Sequence, residues 1–131
     1  MTITTKALEL FVPTRLVNPT NAREQWQARH RRTSAQREAV AMAVWAALRD
    51  PRRRITWHIT AAPSRRKHVT LTGHVARRFD SDGLQAAMKS IRDGLQDCGL
   101  IHSDAFNSGH VFEYAQQPGK PFGVTIKVEL A

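Results

Sequence analysis

Apolar residues alternate with polar ones in five short segments of the chain, which is the pattern of β-strands that bury one face. The five segments are residues 4–12, 55–59, 69–75, 109–116 and 122–130. The basic connection 63–67 between the second and third segments is consistent with a hairpin, and Pro118-Gly119 provides a turn between the last two. These segments predict a β-sheet.

Two further segments carry apolar residues at three- and four-residue steps, which is the spacing of an amphipathic helix. The first helix is predicted over 34–49, because the four residues from Thr33 match a capping box and Pro51 stops the pattern. The second helix is predicted over 82–98, and Gly99 suits the left-handed position that ends a helix.

The order of these elements predicts one domain rather than several. No internal repeat, low-complexity tract or linker interrupts the chain, and 131 residues with a hydrophobic fraction of 41% suffice for a single modest core. We therefore expect residues 1–131 to form one α+β domain, in which a mixed β-sheet packs against two main helices.

Charge is the feature of the composition that bears most directly on function. The chain carries 20 Lys and Arg against 11 Asp and Glu, and the net charge of +9 favours an anionic partner. Basic clusters lie where the predicted elements end or connect, at 29–32, 52–54, 65–67 and 77–78, and together they could line one phosphate-binding face. A solvated, solubilising surface is the alternative for any single cluster.

Side chains from three of these clusters are the candidates for contact with DNA. They are Arg29, Arg31, Arg32, Arg65, Arg66, Lys67, Arg77 and Arg78. Trp26 precedes the first cluster, where it either stacks on an exposed base or anchors the core. Nucleic acid is the partner that the charge distribution favours.

The sequence also indicates a compartment. No apolar run approaches the length of a transmembrane helix, and the first residues lack the charged start, apolar centre and cleavage site of a secretory signal. The single cysteine, Cys98, cannot form an internal disulfide, which agrees with a reducing environment. We expect a cytoplasmic protein without a membrane partner.

Carboxylates interrupt the basic half of the chain in one short stretch. Asp80 and Asp82 follow the third predicted strand, and two aspartates on an extended strand point the same way and can share a metal ion. Lys89 lies about two helical turns after Asp82, so it projects from the same side of the predicted helix. Asp104 follows the Gly99 break, where a returning segment would bring it toward the first pair. Mg²⁺ held by such carboxylates beside basic surface suits a phosphate substrate.

Simpler roles exist for each of these residues. Asp80 or Asp82 could cap the second helix, as aspartate often does, and Asp104 could be an ordinary loop acid. Asp93, four residues after Lys89, either orients that lysine at a site or forms an ordinary ion pair along the helix.

This stretch resembles the RusA family of Holliday junction resolvases. The family motif is an Asp-x-Asp at a strand-to-helix junction, a Lys in the following helix, a Gly that closes the helix and an Asp five residues after the Gly. The matching positions are Asp80, Asp82, Lys89, Gly99 and Asp104. The match covers residues 77–104, and the chain departs from it at Gly83, where many members have Asn, and at Ser103, where many have a second acid.

The resemblance implies a RusA-like fold and an Mg²⁺-dependent endodeoxyribonuclease, with Mn²⁺ as the alternative ion, that resolves four-way DNA junctions by paired nicks. It implies that Asp80, Asp82 and Asp104 bind the metal and that Lys89 stabilises the transition state. Because a four-way junction has two-fold symmetry, it also implies a symmetric homodimer.

The implied setting is DNA recombination and repair at the bacterial nucleoid, and the sequence leaves host, phage or prophage origin open. Two other functions stay open as well. One is a basic DNA-binding module of the same fold that has lost turnover, which the departures at Gly83 and Ser103 allow. The other is a nuclease of flap or otherwise branched DNA.

Overall fold

A computed structural model of the chain describes residues 7–18, 25–49, 66–103, 105 and 108–130. The elements within these ranges are β1 (Ala7–Pro13), α1 (Trp26–Arg49), β2 (Lys67–Val75), α2 (Ser81–Ala87), α3 (Lys89–Asp97), β3 (Val111–Pro118) and β4 (Gly123–Leu130). The expected α+β class, with a mixed sheet and two main helical segments, is confirmed.

The four described strands form one sheet in the order β1-β4-β2-β3. β2 pairs in parallel with β3, whereas β4 is antiparallel to both β1 and β2. The two strands on either side of the Pro118-Gly119 turn are therefore not neighbours, because β2 lies between them. The turn crosses the end of β2, where the N–H of Gly119 donates to the carbonyl of Val75 at 3.0 Å.

The sequence predicts a hairpin between segments 55–59 and 69–75. The segment 55–59 lies outside the described residues, but β2 already has β4 on one edge and β3 on the other along its whole length. A strand has only two hydrogen-bonding edges, so β2 offers no place for a further partner.

Helix α1 begins at Trp26, two turns earlier than predicted, and the expected capping box is wrong. Thr33 lies inside the helix, where its hydroxyl donates to the carbonyl of His30 at 3.1 Å. A threonine hydroxyl can bond the preceding turn in this way as readily as it can cap. The extra turns are mostly exposed, and Trp26 at 72% exposure is not a core anchor.

The predicted second helix is interrupted at Met88, which separates α2 from α3. Met88 has φ −88° and ψ −2°, and its N–H donates to the carbonyls of both Leu84 and Gln85. The predicted helix end is confirmed, since Gly99 has φ +79°. Such a φ is strained for residues other than glycine.

One buried apolar cluster holds the sheet and the helices together. It includes Val69, Leu71 and Ile126 from the sheet and Val44 and Ile91 from the helices. Among the described residues, no helix has the length and apolar character that crossing a bilayer requires.

The contact between α1 and α3 is close because Gly94 faces Val40. A Cβ on Gly94 would lie 2.7 Å from the Cβ of Val40, so no larger residue fits without a shift of the helices. A buried polar contact joins the same helices, as the Ser90 hydroxyl donates to the amide oxygen of Gln36. The amide nitrogen of Gln36 donates in turn to the carbonyl of Arg15 at 3.0 Å, which ties the loop after β1 to this pair.

Candidate functional site

Asp80 is the N-cap of α2. Its backbone is extended (φ −70°, ψ 168°), and its Oδ1 accepts a hydrogen bond of 2.7 Å from the N–H of Gly83. The helix begins at Ser81, and residues 76–80 separate it from the end of β2. The prediction that an extended strand runs through Ser81 is therefore wrong, and the capping alternative is confirmed for Asp80.

Asp82 lies in the first turn of α2, and both aspartates are exposed. A carboxylate near the amino end of a helix is favoured by the helix dipole. The two aspartates are thus neighbours at one helix start, open to solvent, rather than side chains aligned along a strand. Mg²⁺ typically binds one or two carboxylates and completes its shell with water and phosphate, so two carboxylates are sufficient in number for that ion.

Gln116 of β3 fixes the connection that leads into Asp80. The N–H of Phe79 donates to the Gln116 side-chain oxygen at 2.8 Å, and the Gln116 side-chain nitrogen donates to the Phe79 carbonyl at 2.8 Å. This reciprocal pair anchors the backbone next to the aspartates to the sheet. The position of the two carboxylates is consequently set by β3 as well as by α2.

A cavity of about 170 Å³ lies beside this connection, at the carboxyl end of β2. Arg15 and Arg77 bring positive charge to it, while Phe79 and Phe122 supply aromatic surface. His74 is the third polar group and shares a 2.7 Å hydrogen bond with the hydroxyl of Thr125. Basic and aromatic groups together suit a nucleic acid, which offers phosphates and base faces.

The third predicted carboxylate, Asp104, lies outside the described residues. The described residues on either side of it contact the start of β2. His102 Nδ1 lies 3.0 Å from His110 Nε2, and His110 Nδ1 accepts a hydrogen bond of 3.2 Å from the N–H of Lys67. Lys67 begins β2, whereas Asp80 follows its end, and nine residues of strand span about 26 Å. The described segment around 100–103 therefore does not return toward Asp80 as expected.

The predicted metal cluster accordingly has two carboxylates in the described part of the chain. No group of three or more His, Cys, Asp or Glu residues there is arranged to hold a metal ion. Two carboxylates, Asp80 and Asp82, are as many as Mg²⁺ usually takes from a protein when water and phosphate supply its other ligands. They are too few for a site in which every ligand comes from the protein.

Lys89 forms an ion pair within its own helix. Its ammonium is 3.1 Å from the Asp93 carboxylate, one turn further along the helix, and its side chain is 55% exposed. The ion-pair alternative for Asp93 is thus confirmed. Lys89 lines a groove between α1 and α3, and neither Asp80 nor Asp82 is among the residues of that groove.

The predicted DNA-contacting residues fall on several surfaces. Arg29, Arg31 and Arg32 lie in the first turns of α1, while Arg77 and Arg78 are exposed on the connection before Asp80. Arg66 is exposed just before β2, and Arg65 lies outside the described residues.

Lys67 is a correction to that set. Its side chain is fully buried, because Lys67 points to the same face of β2 as Val69 and Leu71. Its ammonium donates to the carbonyl of Leu100, and burial lowers its pKa. A buried ammonium cannot contact a DNA phosphate, so Lys67 serves the fold.

Two arginines that the sequence analysis did not single out also belong to the basic surface. Arg37 binds Asp97 through two hydrogen bonds of 2.7 Å each, which lowers the pKa of Asp97. Arg92 donates to the hydroxyl of Tyr114 at 2.8 Å and to a helix carbonyl. The three-residue step from Lys89 to Arg92 was the available signal, since such residues share a helix face.

A comparison of the chain with protein-family models found no match, and a comparison with curated protein sequences found none. The chemistry of the described surface is that of an exposed carboxylate pair with arginines before it and an aromatic, basic cavity beside it. Cys98 takes no part, because it packs partly buried against the core and burial raises the pKa of its thiol.

Proposed function

We propose that this protein is an Mg²⁺-dependent endodeoxyribonuclease that resolves four-way DNA junctions by paired nicks. The observation that carries the proposal is the exposed pair Asp80 and Asp82 at the start of α2, directly after Arg77 and Arg78, in a chain of net charge +9. Carboxylates beside cations suit a metal ion that a phosphodiester must approach.

In this proposal Asp80 and Asp82 hold the metal without Asp104, the third acid of the motif, because the described segment before Asp104 does not return toward Asp80. When bound, Mg²⁺ would polarise the scissile phosphate and lower the pKa of a water molecule. Arg77 and Arg78 orient the phosphate. The two hydrogen bonds between the Gln116 side chain and the Phe79 backbone hold the connection between β2 and α2 in place. The capping bond occupies one oxygen of Asp80, and a carboxylate has lone pairs enough to accept both a backbone N–H and a metal bond.

The four-way junction and the homodimer come from the resemblance to RusA resolvases. A junction with two-fold symmetry is matched by two identical sites related by a two-fold axis, each making one nick. Sedimentation of the purified protein checks the dimer directly. A monomer at the concentrations where cleavage occurs would contradict paired nicking by one particle.

A second candidate is a basic DNA-binding module of the same fold without turnover. Two contacts favour this binding module. The Asp80 side chain caps α2, and Lys89 forms an ion pair with Asp93. Both residues thus have roles that need no metal. A nuclease of flap or branched DNA is the third function that the same surface allows.

One assay separates these functions. Four-way, flap and linear duplex DNA are incubated with the protein, with and without Mg²⁺, and products are resolved on denaturing gels. The proposal predicts symmetric nicks in the four-way junction that require Mg²⁺. Binding without nicks under all conditions would support the module, and nicks confined to flaps would support the flap nuclease.

A further inference from the structure

A basic groove separates α1 from α3 on the surface of the protein. It has a volume of about 450 Å³, and neither Asp80 nor Asp82 lines it. Its lining residues are Arg29, Arg32, Thr33, Arg37, Ala86, Ala87, Lys89, Ser90, Arg92 and Asp93. Five of these side chains are basic and one, Asp93, is acidic; Asp93 and the nearby Asp97, which pairs with Arg37, offset part of the positive charge.

The cations are arranged as two rows that face each other. Arg29 and Arg32 are three residues apart on α1, and Lys89 and Arg92 are three residues apart on α3. Residues at that spacing share one face of a helix. A polyanion in the groove therefore meets positive charge from both walls.

The walls are held rigidly relative to each other. Gly94 permits a close approach of α3 to Val40 of α1, and Gln36 and Ser90 are hydrogen-bonded at the buried contact beneath the groove. Arg37 and Asp97 add a two-bond ion pair across the same helices. A rigid groove binds without the entropic cost of ordering its walls.

The polar groups at the floor of the groove are already used within the protein. The Ser90 hydroxyl donates to Gln36, and the Thr33 hydroxyl donates to the carbonyl of His30. A ligand would contact the charged ends of the long side chains, of which Arg37 and Lys89 also form ion pairs with Asp97 and Asp93. Such contacts bind phosphates and carry no sequence information.

We propose that this groove binds the phosphodiester backbone of one DNA strand, and that Lys89 acts there. The inference rests on the proposed function, because it names where a substrate arm lies. A groove that runs between two packed helices, whose axes lie about 8–10 Å apart, can follow the backbone of one strand of that arm. The arm is held by charge alone. The exposed aspartates lie at the amino end of α2, the helix whose last residues, Ala86 and Ala87, line the groove.

The adjacent arginines Arg31 and Arg32 make a matched test. Both lie on α1, but Arg32 lines the groove and Arg31 does not. Binding of a four-way junction and of a single-stranded oligonucleotide is measured in EDTA, which prevents cleavage, for wild type, Arg32→Gln, Lys89→Gln and Arg31→Gln over a range of salt. Thermal unfolding of each variant verifies that it is folded.

For Arg32→Gln and Lys89→Gln we expect affinity to fall about fivefold to eightfold at 0.1 M salt and the salt slope to fall by about 0.7 to 0.9, the loss of one phosphate contact. Arg31→Gln should change both quantities by clearly less. Equal effects of Arg31→Gln and Arg32→Gln would overturn the groove and leave the nuclease proposal standing. Failure of wild type to bind any DNA would overturn both.

Kinetics provide a second check on Lys89. If Lys89→Gln instead lowers the single-turnover cleavage rate at saturating protein by about a hundredfold while junction affinity stays at the wild-type level, Lys89 stabilises the transition state and the groove assignment is wrong. The groove assignment predicts the opposite division, with the loss appearing in affinity and in its salt dependence.

Discussion

The Asp80 carboxylate accepts a 2.7 Å hydrogen bond from the N–H of Gly83, and a Cβ at Gly83 would lie 2.4 Å from the same oxygen. A side chain at position 83 would therefore require the Asp80 and Asn18 side chains to shift. Glycine at position 83 leaves room for the Asp80 side chain to approach this backbone N–H closely. In the proposed site the Asp80 carboxylate would both cap α2 and bind the metal, and substitution can separate these two roles.

Asp80→Asn should leave stability nearly unchanged and abolish Mg²⁺-dependent cleavage. Asn caps a helix about as well as Asp, but it lacks the charge that a metal ligand needs. Asp80→Ala should lose cleavage and also about 1 kcal/mol of unfolding free energy, the usual value of a cap. Urea unfolding and the junction assay measure the two effects. If Asp80→Asn cleaves at the wild-type rate, Asp80 is a cap and nothing more.

Arg66 and Lys67 are sequence neighbours with opposite expected roles. Arg66→Gln should weaken junction binding and reduce its salt slope, because Arg66 is exposed. Lys67→Met should bind the junction as wild type does, because the Lys67 ammonium is buried against the Leu100 carbonyl. Titrations at several salt concentrations measure both variants. Weaker binding by a folded Lys67→Met protein would contradict the structural role of Lys67.

His110 should make the protein less stable on acidification. Its pKa is lowered by burial and, to a smaller extent, by His102 and Lys67. The unfolded chain therefore binds the proton more readily, so the free energy of unfolding falls once pH drops below about 6.5, the ordinary histidine value, and continues to fall until the folded protein is protonated too.

His110→Asn tests this relationship, because Asn keeps an acceptor for the Lys67 N–H and does not titrate. The variant should lose less unfolding free energy than wild type between about pH 7.5 and pH 5, relative to its own value at neutral pH. His30→Asn, at an exposed position of α1, is the control and should retain the wild-type pH dependence. Parallel pH profiles for wild type and His110→Asn would contradict the assignment.

The local pattern of apolar and polar residues was sufficient to predict much of the fold. The strands β2 and β4 follow their predicted alternation, and Gly99 ends the second helical segment as expected. The same alternation contained a signal about Lys67, which is in phase with Val69 and therefore buried. Because Arg65 and Arg66 precede it, Lys67 was interpreted as part of an exposed basic cluster instead.

The features that pattern did not predict depend on contacts between distant residues. The first turns of α1 have no apolar period, so nothing in residues 26–33 distinguished a helix from a loop. The parallel pairing of β2 with β3 joins residues more than forty positions apart, such as His68 and Val111. Residues near one another in the motif, such as Asp82 and Lys89, proved to face different surroundings once the helices packed.

The most direct test of the central claim is junction cleavage by wild type and Asp82→Asn in the presence of Mg²⁺. The substitution removes one metal-binding charge at nearly constant shape, so we predict Mg²⁺-dependent paired nicks from wild type and none from the variant, with junction affinity retained. Glu38→Gln, which removes a charge from an exposed position on α1, should cleave as wild type does. Cleavage by Asp82→Asn at the wild-type rate would contradict the metal site.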